Sequence, residues 1–399
     1  MLRPSRTRSA RTCSIRRPLG ARSPLVASAL LAAALLVAAA PAWAGRPRTD
    51  PPGEPGPFAV GHDRFVLVDE SRDGRTLDTE VWYPAEPRAQ DPLTAYDPIL
   101  GFALPSSIAF EDAPAGPPAF APLVVFSHGS GGASWQSIFL MEALASHGFV
   151  VAAPNHTGNT VYDQFAGTSV PLAQSAVNRP LDVSFVIDQM LARSADPQDP
   201  LHQRIRPWLV GVAGHSFGGY TALAIAGGVG ALGLEPDPRV AAIAAIAPAS
   251  SLLAESDLAA IEVPLFLLSG TFDTTTPIDP NTTRPWTVVE GPPVYRADIE
   301  GATHSGFAAV CDFGAILAGA GLSDEAIDAI VPDFIVTCRP PALDVEEVQR
   351  ITSTYLVAFF RRHLYLHPFY DPWLTEEWAE EHEPLVHYQT RRAQEDIPQ

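Results

Sequence analysis

The stretch "WLVGVAGHSFGGYTALA" (208–224) decides how the chain is read. Its first part is a short apolar run suited to a buried strand, and from Phe217 onward it reads as a helix. Between them lies GHSFGG (214–219), with Ser216 flanked at minus two and plus two by Gly214 and Gly218. Where a strand turns sharply into a helix, side chains at those two positions would collide, so glycine is required there. Such a turn lifts the serine hydroxyl above the sheet edge. It also aims the Phe217 N–H at a developing oxyanion, beside the positive end of the helix. A serine hydroxyl alone is a poor nucleophile. A base, an acid and a second oxyanion donor must therefore come from elsewhere in the chain.

Outward from this turn the pattern alternates. Apolar runs at 122–127, 148–154, 207–214, 239–248, 263–270 and 294–301 read as strands, and 135–146, 180–194 and 343–364 read as helices. "RFVLVDE" and "TLDTEVWYP" read as two strands joined by the turn "SRDGR", whereas 85–120 is proline-studded and reads as loop. Strands apolar on both faces that alternate with helices predict the α/β class. The sheet is expected to be mainly parallel, with helices on both faces and ligands at the edge formed by the strand C-terminal ends.

The base is assigned to His304, in a loop after the strand ending near Gly301. His215 is next to the serine in sequence and is expected to point elsewhere. His128 and His156 are weaker candidates. The acid is assigned to Asp273 in "LLSGTFDTTTP", just beyond a strand and hence on the same edge as Ser216; Asp279 lies deeper in the loop and Asp298 within a strand. The order Ser…Asp…His is the one expected of an α/β-hydrolase. "FSHGSGG" (126–132) follows an early strand, so its Ser130 N–H is taken as the second oxyanion donor beside Phe217. Substrate contacts are expected from 159–171, from 282–289 with Trp286, and from a loop insertion around 308–341. His363 and His367 lack a third ligand, so neither a metal nor an organic cofactor is expected.

The amino terminus carries seven arginines and no acid before the run "LVASALLAAALLVAAA", and "AWA" ends at Ala44. That pattern predicts a signal peptide over 1–44, a secreted or periplasmic product and no stable membrane span after cleavage. A flexible leader is expected over 45–61 and one hydrolase domain over 62–399. The net charge is −19 and the sequence contains no lysine, which argues against nucleic acid as a partner. Cys311 and Cys338 would both survive cleavage; whether they pair is open at this level.

"FSHGSGG", "LASHGFVVAAPNH" (144–156), "GHSFGG" and "GATHSGFA" (301–308) together resemble an α/β-hydrolase of the platelet-activating-factor acetylhydrolase and dienelactone-hydrolase-like group. The resemblance implies Ser216 as nucleophile, His304 as base and the "HGS" backbone as oxyanion loop. The chain departs from the acetylhydrolases at "IAPASSLL" (246–253), where that group carries its acid and this sequence has none. Asp273 instead resembles the acid position of dienelactone hydrolases and cutinase-like polyester hydrolases. The expected function is a serine carboxylic-ester hydrolase acting on small-molecule or lipid esters. Alternatives are a cutinase-like polyester or lipid hydrolase, a peptidase, or a non-catalytic binding protein on the same fold.

Overall fold

The computed structural model describes residues 50–391 apart from Leu100, with backbone alone for 97–99 and Phe102. The segment 1–44 read as a signal peptide lies outside the described residues.

The strands are β1 (Ala59–Asp69), β2 (Arg75–Ala85), β3 (Leu93–Ile99), β4 (Phe102–Glu111), β5 (Ala121–Ser127), β6 (Val150–Pro154), β7 (Ile205–His215), β8 (Val240–Ile246), β9 (Leu265–Gly270), β10 (Val294–Ile299) and β11 (Val386–Arg391). They form one sheet in the order β11-β10-β9-β8-β7-β5-β6-β2-β1-β4-β3. From β10 to β6 every pairing is parallel. Both flanks add antiparallel pairings, β2 on β6, β1 on β2, β3 on β4 and β11 on β10. The expected mainly parallel sheet is thus its central part.

Every residue of β5, β6, β8 and β9 except Ala241 is buried, as expected of strands covered on both faces. Alternation divides them between two cores. Val124 and Phe126 face one layer, with Leu140, Tyr355 and Phe359. Leu123 and Val125 face the other, with Val183, Ile187 and Leu223. The helices that supply these layers are α1 (Ile138–Ser146), α2 (Val161–Ala166), α3 (Leu172–Ala195), α4 (Phe217–Gly227), α5 (Glu255–Ala259), α6 (Arg284–Val288), α7 (Val310–Gly319), α8 (Asp324–Ile330), α9 (Phe334–Cys338), α10 (Val345–His363) and α11 (Glu376–His382).

Three expectations are corrected. The proline-studded 85–120 contains β3 and β4; Pro98 and Pro105 are tolerated because the pair forms the outer edge of the sheet, where a missing N–H costs little. Over its described part, the segment expected as a flexible leader is tied down. The Phe58 N–H donates to the Ser146 carbonyl (3.1 Å), the Gly56 N–H to Ser146 Oγ (2.9 Å), and β1 already begins at Ala59. The expected loop insertion around 308–341 is helical, made of α7, α8 and α9 around Phe313, Leu317, Ile327 and Phe334.

Cys311 and Cys338 form a disulfide across these three helices. That small core needs a staple, and closing a separation of 27 residues is worth about 3.5 kcal/mol in the chain-entropy model. We expect the double variant Cys311→Ser/Cys338→Ser to raise hydrogen exchange throughout 308–341 while leaving β5 to β9 protected. Unchanged exchange in 308–341 would show that packing alone holds the cap.

Candidate active site

Ser216 sits at the junction of β7 and α4 with φ 58° and ψ −116°. A non-glycine residue held there is strained. The surroundings enforce it: the Ser216 N–H donates to the Ile246 carbonyl (2.8 Å), and its carbonyl accepts from the N–H groups of Tyr220 (3.1 Å) and Ala249 (3.0 Å). A Cβ on Gly214 would strike the Gly218 carbonyl, and one on Gly218 would strike the Ser127 carbonyl. The predicted need for glycine at both positions therefore has named causes.

β8, β9 and β10 end at the same edge, since Ile246 is in register with Leu268 and Ile299 with Gly270. Asp273 follows β9 and His304 follows β10. His304 Nδ1 donates to Asp273 Oδ2 at 2.7 Å; the Asp273 side chain is 0% exposed and that of His304 12%. Asp273 Oδ1 accepts from the N–H groups of Thr275 (2.8 Å) and Thr276 (2.7 Å). The Thr276 hydroxyl lies 2.7 Å from Asp273 Oδ2 and 2.9 Å from the Ala247 carbonyl. Burial alone would raise the Asp273 pKa, because it disfavours the charged carboxylate. The bonds from His304 and Thr276 outweigh it and hold the carboxyl below the usual range. With its Nδ1 proton committed to Asp273, neutral His304 keeps its lone pair on Nε2.

Ser216 and His304 line one cavity of about 630 Å³. Gly129 and Ser130 form part of its wall, and Phe165, Phe313 and Ile330 add apolar surface. The N–H groups of Ser130 and Phe217 have no hydrogen-bond partner among the described residues. That of Gly129 is taken by Gln136 Oε1 at 2.8 Å, so Ser130 and not Gly129 has the open amide. The segments 159–171 and 308–341 reach this cavity. Trp286 does not: it packs on α6 against the core, under the Arg391 guanidinium, 4.4 Å from the ring centroid.

Asp279 and Asp298 do not approach His304. Asp298 accepts from Ser269 Oγ (2.5 Å) and Arg296 Nη2 (2.6 Å) instead.

His215, expected to point elsewhere, lies beside His304 with ring centroids 4.6 Å apart. Gln136 Nε2 donates to His215 Nδ1 (2.8 Å), so His215 Nε2–H donates to the His304 carbonyl (2.9 Å). One side chain, Gln136, thus ties the 129–132 loop to the loop bearing His304. No motif marks it in the sequence. His128 and His156 are fully buried behind the same loop. The Ser127 hydroxyl donates to His156 Nε2 (2.9 Å), and His156 Nδ1 donates to Asp182 Oδ2 (2.9 Å). Asp182 also binds Arg72 (2.8 Å) and Arg75 (2.7 Å).

Residues 106–176 match the family model described as platelet-activating factor acetylhydrolase, isoform II. That span carries β5, the 126–132 loop, α1, β6 and α2, and stops short of Ser216, Asp273 and His304. The fold is that of an α/β-hydrolase. No curated protein matches the chain. Within the matched span the α/β-hydrolase resembles that family through its loop and strand core. No helix among the described residues is long and apolar enough to cross a membrane. No group of three or more His, Cys, Asp or Glu side chains among them is placed to hold a metal ion.

Burial holds His156 down to about 4 and His215 to about 3, so both are neutral at pH 7. Folded, they bind fewer protons than the unfolded chain does below ~6.5. Acid therefore favours unfolding. The stability present at neutral pH should fall as pH drops from ~6.5 through about 4, by roughly 1–2 kcal/mol per histidine at pH 5. Urea midpoints measured at pH 7 and pH 5 check this; equal midpoints would mean that these rings ionise without cost.

Proposed function

We propose that the protein is a serine carboxylic-ester hydrolase working through an acyl-enzyme on Ser216, with His304 as base and Asp273 as acid. The coarse part, an ester hydrolase of the lipase or esterase type, is supported by the α/β-hydrolase fold and the family match. The finer part rests above all on the 2.7 Å bond from His304 to a fully buried Asp273, on the same cavity as a serine held at positive φ.

In the proposed reaction Ser216 Oγ attacks the ester carbonyl carbon and its proton passes to His304 Nε2. The carbonyl oxygen becomes an oxyanion bonded by the N–H groups of Ser130 and Phe217. The tetrahedral adduct collapses and the alcohol leaves with the proton from His304; water, deprotonated by His304, then adds to the acyl carbon, and the Ser216 Oγ–acyl bond breaks to release the acid as His304 returns the proton to Oγ. Asp273 fixes the His304 tautomer and stabilises the imidazolium that forms.

Among the described residues, the cavity wall carries one carboxylate, that of Asp333, and no arginine. This supports esters whose acyl part is uncharged. An acetylated phospholipid is a second reading, favoured by the family match; its phosphate would then have to stay outside the cavity. The N-terminal pattern supports a secreted or periplasmic location, with which the Cys311–Cys338 disulfide agrees.

A fluorophosphonate probe should label the protein once, at Ser216, and Ser216→Ala should abolish labelling; labelling that survives would remove Ser216 from this role. Asp273→Asn should lower kcat by about 10⁴-fold, and near-normal turnover would place the acid elsewhere. On p-nitrophenyl esters, acetyl and butyryl should be turned over well and the anionic glutaryl ester at least tenfold worse in kcat/KM. Amide turnover without ester turnover would favour a peptidase instead.

A further inference from the structure

Arg179 on α3 is 0% exposed, yet no carboxylate lies within ion-pair distance of it among the described residues. Its partners are the Ser127 hydroxyl (3.5 Å) and main-chain carbonyls, two of them in the loop 126–132. Nη1 donates to the His128 carbonyl, and Nη2 to those of Gly129 (2.9 Å) and Asn159 (3.5 Å). The Gly129 carbonyl receives two more bonds, one from the Gly132 N–H (3.1 Å) and one from His128. His128 Nε2 accepts from the His156 N–H (3.1 Å), so the His128 proton is on Nδ1, which donates to Gly129 O at 2.7 Å. The guanidinium also lies over the Phe217 ring, 5.0 Å from its centroid. Phe217 stacks on Tyr220 at 5.0 Å and 4°. The Tyr220 hydroxyl donates to the Ala176 carbonyl (3.2 Å), an acceptor left open because Pro180 has no N–H to occupy it. One buried cation thereby touches the Phe217 ring and the carbonyl of the peptide whose N–H belongs to Ser130.

A trans peptide is planar, and its C=O and N–H point in opposite directions. With the Gly129 carbonyl drawn inward by Arg179 and His128, the Ser130 N–H faces the other way, toward the cavity that Gly129 and Ser130 line. Among the described residues, the other bond that holds this carbonyl is the turn bond from the Gly132 N–H (3.1 Å), and the glycines at 129, 131 and 132 leave the loop easy to bend. We propose that Arg179 is a positioning residue that sets the oxyanion hole by fixing the Gly129–Ser130 peptide and seating Phe217. The inference rests on the reading of Ser216, Ser130 and Phe217 given above.

The test compares wild type with Arg179→Lys, which keeps the buried cation but cannot span two carbonyls, and Arg179→Met. Active sites are first counted by fluorophosphonate titration, so that misfolded protein drops out. Per titrated site, kcat on p-nitrophenyl butyrate should fall about tenfold for Lys and about 10²-fold for Met, with KM within threefold. Affinity for an alkyl boronic acid, whose tetrahedral adduct carries the negative charge, should fall by the same factors. A lower melting temperature with per-site kcat and boronate affinity within threefold of wild type would reduce Arg179 to a structural role and overturn the inference. If the Met variant does not fold, the Lys variant decides alone. Wild type that is not labelled at Ser216 would instead refute the underlying mechanism.

Discussion

The architecture turns on a place where no side chain fits. β7 reaches the sheet edge, reverses into α4 within one residue, and runs so close to β5 that the Ser127 carbonyl touches the space a Cβ on Gly218 would need. That contact fixes the direction of α4, and α4 is buried on nearly all sides, so it fixes the packing of the layer against α3 as well. Ser216 absorbs the strain of the turn, at φ 58°. Its amide and carbonyl are bonded into β8 and its loop, so a relaxed backbone would sacrifice several hydrogen bonds at once.

Around this elbow the polar groups are arranged in two separate supports. One runs from Gln136 through His215 to the His304 carbonyl and links the two loops that meet over Ser216. The other runs from Arg75 and Asp182 through His156 to Ser127, with Arg179 beside it holding the next two carbonyls. Both depend on neutral imidazoles, each donating at one nitrogen and accepting at the other. Burial keeps them neutral, so these rings act as fixed connectors, whereas His304 lines the cavity.

How much of this the sequence discloses follows from how local each constraint is. The elbow is local: two glycines around a serine, between an apolar run and a helix, are enough to predict its geometry. The order of Ser216, Asp273 and His304 along successive strand ends is also legible, because a parallel sheet brings such ends to one edge. The helical cap, β3 and β4 were not legible, since prolines and a weak apolar pattern read as loop. The segment 282–289 reads as a loop over the sheet edge that would bring Trp286 to the substrate, whereas it forms α6 and the Trp286 ring packs against the core under Arg391. Gln136 and Arg179 carry no local signal at all. Their partners are backbone groups distant in sequence, which only the assembled sheet brings within reach.

Asp273 is held by groups from two neighbouring strand ends. The strand after the nucleophile, β8, leads into a loop with no acid, but its Ala247 adopts φ 42° and turns its carbonyl to the Thr276 hydroxyl, which in turn meets Asp273. The loop that lacks the acid thus helps to hold it. β9 lies between β8 and β10 in the sheet, about 4.8 Å from each. An acid at the end of β9 is therefore next to the loop after β10 that carries His304, and one strand nearer to it than an acid after β8 would be. With Asp273 after β9 the reach to the His304 imidazole is short, and the stretch 247–253 after β8 carries no charged side chain. The geometry needed at Nδ1 is a single hydrogen bond, and adjacent strands of a parallel sheet can each supply it.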